Sequence, residues 1–147
     1  QPGQVCAVMV ADCVPILLAA KDGSCVAAIH AGWRGLAAGV IECSVEALPS
    51  SRESLMAFVG PCIPKNKYKF GSLAYSRLMD NLNNVGIKKN MNFLDNRELC
   101  LSSLACFLLN RLNIQFLHYS HVFSLATFYS YRLENLTGRN SIYTLIK

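Results

Sequence analysis

The chain has 147 residues, 52% of them hydrophobic and 16% charged, with a formal net charge of +5, values that suit one folded domain and exclude a disordered chain. Lys and Arg are spread along it, with a cluster at Lys65, Lys67 and Lys69 and a pair at Lys88 and Lys89. A nucleic-acid groove needs more basic residues than this, interleaved with aromatics, so a solvated surface or an anionic small-molecule substrate is expected instead.

Val5 to Val10 predicts the first strand. Ile16 to Ala20, the polar turn Lys21-Asp22-Gly23-Ser24 and the apolar run Cys25 to Ile29 predict a hairpin. The longest apolar stretch, Val5 to Ala20, is interrupted by Asp12 and Pro15 and is too short for a membrane span, so it reads as buried strands and no membrane partner is expected. Leu36, Val40, Ile41, Val45 and Leu48 then recur at helical spacing until Pro49 stops the run. Leu55 to Val59 predicts a strand ending at Gly60-Pro61. A second helix starts near Ser72, with Leu73, Leu78, Leu82 and Val85 on one face and Gly86 as its terminator, and a third covers Glu98 to Leu112. Ile114 to Tyr119 and Ser141 to Ile146 predict late strands, separated by a loop that carries FYSYR and TGR. With no repeat and no low-complexity linker, residues 1–147 read as a single α+β domain, a mixed β-sheet layered with helices.

Seven cysteines are an odd number and no secretory leader precedes them, which argues for reduced thiols in a cytoplasm. Cys6, Cys25, Cys43, Cys62, Cys100 and Cys106 each lie in or beside an apolar pattern, as small hydrophobes do. Cys13, in ADCVP, is different, because the hairpin can return His30, at the head of HAGWRG, close to it. A thiolate and an imidazole in one small volume suit zinc or copper, or a thiol nucleophile with its base. Gly32 and Gly35 flank the only tryptophan, Trp33, and a strand-to-helix turn of this kind can offer backbone N–H groups to an anion. Arg34 adds a fork for phosphate or carboxylate. Asp12 is placed to hold a hydrogen bond to His30 or Arg34 behind the site.

ADCVPILL, HAGWRGLAAGVIE, FVGPCI and FYSYRLENLTGR together resemble the YfiH family, also called the laccase-domain or multicopper polyphenol oxidase family, along the whole chain. The resemblance implies a YfiH-like fold and a cytoplasmic enzyme holding one zinc or copper through His, Cys and His. It implies purine nucleoside phosphorylase activity on a small-molecule nucleoside and phosphate, with adenosine deaminase and methylthioadenosine phosphorylase side activities, in a family first described as laccase-like. Cys13 and His30 match the family's cysteine and second histidine, as metal ligands and catalytic groups. Arg34, and Arg132 in SYR, are the implied substrate-binding cations.

The family's first histidine lies upstream of the ADC motif, so the chain is expected to be a C-terminal portion of the family fold, with His118 or His121 as alternative donors. Residues three apart on a strand point to opposite faces, so only one of those two could face the site. After GPCI the sequence departs from the family, with Pro64-Lys65-Asn66-Lys67-Tyr68-Lys69, and it places Ser120 and His121 where the family carries Cys-Thr. A degenerate member without catalysis and a metal-free Cys13–His30 hydrolase therefore stand as alternatives. The mean hydropathy of +0.29 and the abrupt apolar start predict exposed sheet surface and a homo-oligomer or a missing N-terminal cover.

Overall fold

The computed structural model describes residues 3–69, 71–84, 86–87, 94–95, 97–119 and 127–146. Strand β1 (Val5–Val10) is followed by the hairpin β2 (Val14–Ala20) and β3 (Val26–Ala31). Its turn is closed by the Gly23 N–H donating to the Ala20 carbonyl and by the Ser24 N–H donating to Asp22 Oδ1, both at 2.9 Å.

The helical run predicted up to Pro49 is two helices, α1 (Trp33–Ala37) and α2 (Val40–Glu46). Gly39 between them takes φ +84°, a left-handed angle that ends one helix and re-aims the next. Next come β4 (Leu55–Val59), as predicted, and α3 (Ser72–Asn84), which buries Leu78, Met79 and Leu82 but leaves Leu73 65% exposed. Val85, predicted on the same face, lies outside the described residues.

Two short strands, β5 (Leu94–Asp95) and β6 (Glu98–Leu99), pair antiparallel. Glu98 and Leu99 therefore do not begin the third helix. Cys100 is the N-cap of that helix, α4 (Leu101–Arg111), because ladder hydrogen bonds claim the residues ahead of it. β7 (Gln115–His118) falls within the predicted strand. The FYSYR loop contains a single helical turn, α5 (Tyr131–Glu134), which the Ser130 hydroxyl caps by accepting from the Leu133 N–H, and β8 (Asn140–Leu145) follows.

Four strands form a sheet in the order β3-β2-β4-β7, antiparallel except for β4 beside β7. One face is the core. Along β2 the even-numbered Val14, Ile16, Leu18 and Ala20 are at most 4% exposed, and the register aligns Ile16 with Ile29 and Val59, and Leu18 with Ala57. Against this face packs α4, whose Leu101, Leu104, Ala105, Leu108 and Leu109 recur at helical spacing and are at most 1% exposed. Each of those leucines contributes about 1.5–3 kcal/mol by burial.

The opposite face carries Cys13's neighbour Pro15, then Leu17 and Ala19, and is only partly covered. Packed near β2 and β3 is the antiparallel ribbon of β1 and β8. Further along, Leu17, Phe58 and Leu117 form a row across three strands, and Leu117 is 69% exposed. The ribbon's own outer face shows the cross-strand pairs Val5 with Leu145 and Ala7 with Tyr143. The predicted exposed sheet surface is thus present. No helix among the described residues is long and apolar enough to cross a membrane.

Candidate metal and substrate site

Sheet register places the site. Val14 pairs with Ala31 and Pro15 with His30, so one further step sets Cys13 opposite Gly32. Residues two apart share a face, and Cys13, Pro15, His30 and Gly32 therefore lie on the same face, the one turned away from α4. Cys13 and His30 are diagonal neighbours across the hairpin, a relation that separates backbones by roughly 7–8 Å. Such a pair can share one metal ion between its side chains.

Gly32 makes room for the thiol. A Cβ at position 32 would stand 2.9 Å from Cys13 Sγ, closer than carbon and sulfur tolerate. Gly32→Ala is expected to push the thiol out of its seat and to lower stability by about 1–3 kcal/mol, an overpacking effect that urea unfolding measures. An unchanged urea midpoint with an unchanged Cys13 alkylation rate would show that the seat is not tight.

Burial and the neighbouring Asp12 carboxylate push the Cys13 thiol up, while Arg132 partly opposes them. The Asp12 carboxylate does not turn to His30 or Arg34 as predicted. Both of its oxygens are used elsewhere: Oδ1 accepts from the Ser130 hydroxyl, and Oδ2 accepts from the Arg132 backbone N–H at 2.9 Å. Ser130 is fully buried, so this contact locks α5 against the ADC segment over a sequence separation of 118 residues. Glu134 closes the cap by accepting from the Ser130 N–H at 3.2 Å.

Tyr68 is where these elements meet, and sequence reasoning passed over it. It is 4% exposed, and the Arg132 guanidinium lies 4.3 Å from its ring centre. Arg132 Nη1 also donates to the Lys69 carbonyl at 2.6 Å, so the family-like arginine is an exposed clamp between the FYSYR turn and the segment after GPCI. Burial first, and then the Cys13 and Asp12 charges, push the Tyr68 hydroxyl up to about 12 against the pull of Arg132 and Arg34. Only its place within the altered run Pro64 to Lys69 marked Tyr68 in the sequence. Lys69, in the same run, forms an ion pair with Glu98 at 3.6 Å.

Arg34 lies 4.6 Å from the centre of the Trp33 ring. Together with Gly71, Ser72, Leu73, Ala74 and Arg77 these two line a cleft of about 380 Å³. Arg77 is a second guanidinium at this cleft that motif reading did not single out. The helix behind the HAGWRG turn is only five residues long, so its aligned peptide dipoles add little to the anion seat predicted there. A larger cavity of about 510 Å³ is lined by none of the predicted site residues.

His30 is exposed and available as a donor. His118 cannot join it: β2 and β4 stand between their strands, and three interstrand spacings come to roughly 14 Å. His121 lies outside the described residues. Among the described residues no group of three or more His, Cys, Asp and Glu side chains is placed to hold a metal ion. What the chain offers is one thiol and one imidazole, a donor pair suited to zinc or copper.

Comparison with known proteins bears on this geometry. Residues 1–147 match the profile of a family described as multi-copper polyphenol oxidoreductase laccase. The purine nucleoside phosphorylase YfiH of Escherichia coli is 34% identical over 146 residues, which cover 94% of this chain and 58% of that protein. A purine nucleoside phosphorylase of Pseudomonas aeruginosa is 46% identical over 70 residues, covering 48% of this chain and 29% of its own. Among solved structures, a Neisseria meningitidis protein superposes with a TM-score of 0.79 at 30% identity, over 97% of this chain and 61% of that one. A Bacillus licheniformis YfiH superposes with a TM-score of 0.85 at 25% identity, over 100% of this chain and 59% of that one. The chain thus spans about three fifths of the length of the Escherichia coli relative and of these two solved structures.

Proposed function

The chain belongs to the multi-copper polyphenol oxidoreductase laccase family, and on that premise we propose that it serves metal-dependent phosphorolysis of purine nucleosides. Adenosine and inosine are the proposed substrates, with adenosine deamination and methylthioadenosine phosphorolysis as companion activities. The observation that carries this reading is the Cys13 thiol seated over Gly32 with His30 on the same sheet face, near Arg34 and its cleft.

Cys13 and His30 would hold zinc or copper, with a third donor from outside the described residues. Bound there, the metal supplies a Lewis acid beside the substrate. Metal must displace the Cys13 proton, so affinity rises with pH. Arg34 and Arg77 line one cleft and supply fixed positive charge for phosphate. Tyr68, held as a neutral hydroxyl at physiological pH, is a donor for a developing negative charge, and Arg132 fixes its ring. All seven cysteines are free, which supports the cytoplasm as the place of action.

A metal-free hydrolase would need a thiol of depressed pKa, and Cys13 is shifted the other way. The test is metal content by elemental mass spectrometry, alongside phosphate-dependent release of purine base. Wild type is expected to carry zinc or copper that Cys13→Ala and His30→Ala each reduce by about tenfold or more, as loss of a direct ligand from so small a set requires. Metal-free wild type, or turnover that survives both replacements, would overturn the proposal, and the former result would favour the degenerate reading.

A further inference from the structure

The cavity of about 510 Å³ lies among α1, α2, α3 and α4, and the proposed function leaves it idle. Its volume falls in the range of small-molecule sites, which combine apolar walls with a few polar groups that fix the ligand's orientation. Leu36 and Ala37 of α1 and Leu108 of α4, each at most 3% exposed, supply the apolar wall.

Glu42, half-buried on α2, is the lining group that the fold leaves unsatisfied. Its Oε2 is closed off from water, and among the described residues it is the one buried side-chain oxygen or nitrogen with no hydrogen bond. Such atoms are few in folded proteins, and each calls for an explanation. Helix capping does not provide one. Glu42 stands at the third position of α2, from which a carboxylate can reach back to the N-cap N–H, yet the Gly39 N–H is donated to the Leu36 carbonyl at 3.4 Å. The carboxylate rests over the left-handed turn without bonding to it, with Oε2 3.7 Å from the place of a Cβ on Gly39.

The charges that line the cavity are Glu42 and Arg111, of opposite sign, so an uncharged ligand suits it. Glu42 asks that ligand for an N–H donor. The last torsion of a glutamate side chain is soft, so the carboxylate can turn Oε2 from its closed position toward the cavity. Asn81 and Asn84, one turn apart on α3 and both exposed, add side-chain amides that donate to carbonyl oxygens. A ring N–H beside ring carbonyls presents the complementary edge.

We propose that this cavity binds an uncharged heterocycle with an imide edge of the uracil type. Its ring N–H donates to the Glu42 carboxylate, its carbonyls accept from the Asn81 and Asn84 amides, and its ring lies against Leu36, Ala37 and Leu108. The inference does not rest on the proposed activity, because neither Cys13, His30 nor Arg34 lines this cavity.

Cys43 is exposed and lines the same cavity, so its alkylation reports occupancy. The test is the rate of iodoacetamide labelling at Cys43, read by peptide mass spectrometry, with uridine as the probe. For a Kd on the order of 1 mM, about 10 mM uridine should slow this labelling roughly tenfold and leave Cys106 unaffected. Uridine methylated at its ring N–H should give no protection, and neither should adenosine, which has no ring N–H beside a carbonyl. Glu42→Ala should lose the protection while its urea midpoint stays level or rises, since an oxygen without a donor adds nothing to the fold. Cys13→Ala should be protected as the unsubstituted chain is, which separates this cavity from the proposed nucleoside site. Cys43 labelling unmoved by uridine, equal protection by the methylated form, or a lower urea midpoint in Glu42→Ala would overturn the proposal.

Discussion

Replacing Asp12 with alanine is expected to lower the stability of the chain by about 3 kcal/mol, through the loss of charge-assisted hydrogen bonds to Ser130 and Arg132. The Ser130 hydroxyl, fully buried, would be left without its acceptor, and α5 would lose its tie to the ADC segment. For a domain of this length that corresponds to a fall in Tm of roughly 6–12 °C. Asp12→Asn keeps one carbonyl oxygen and should retain about half of the effect. The Arg132 guanidinium would also lose its fixed position over Tyr68, so on the proposed function affinity for a purine nucleoside should drop along with stability. A thermal midpoint unchanged by Asp12→Ala would refute this account of how the two ends of the chain are joined.

The second large effect is alkaline. Cys62 is raised from an ordinary 9.0 to about 12, and Tyr68 from 10.0 to about 12, both mainly by burial. A group that holds its proton more tightly when folded lends stability that is complete below its unfolded pKa and disappears as pH rises through its folded pKa. For Cys62 that window opens near pH 9 and closes near 12, and the stability at risk is on the order of 4 kcal/mol. The urea midpoint should therefore hold level from neutral pH to about 9 and then fall, with Tyr68 adding to the slope from about pH 10. Cys62→Ala should flatten the first part of the decline. A midpoint that stays level well above pH 10 would show that these groups are not withdrawn from water.

These results divide between what local pattern encodes and what only packing decides. Short apolar runs bounded by turn residues were enough to locate β1, the hairpin, β4, β7 and β8, because a strand of a half-buried sheet needs only a few consecutive residues that pack. The helices were less legible. The apolar spacing from Leu36 to Leu48 continues unbroken through Gly39, whose left-handed angle splits the run in two. Glu98 and Leu99 carry no signal that they pair with Leu94 and Asp95 rather than starting α4.

The site shows the same division. Cys13 and His30 could be paired from sequence because a short hairpin fixes their register, and Arg34 because it adjoins His30's motif. Tyr68, Arg77 and the Asp12–Ser130 lock come from segments distant in the chain, and no local pattern announces a contact between residues 12 and 130. His118 illustrates the converse, since a histidine of the right chemistry is kept away from His30 by two intervening strands. By itself, then, the sequence determined the strands of the four-stranded sheet and of the β1–β8 ribbon, the motif that marks the family and the donor pair on one hairpin, since each depends on neighbours along the chain. Tertiary structure alone decided which distant groups surround that pair, because long-range packing and register, not residue type, choose the partners of a buried hydroxyl or a stacked guanidinium.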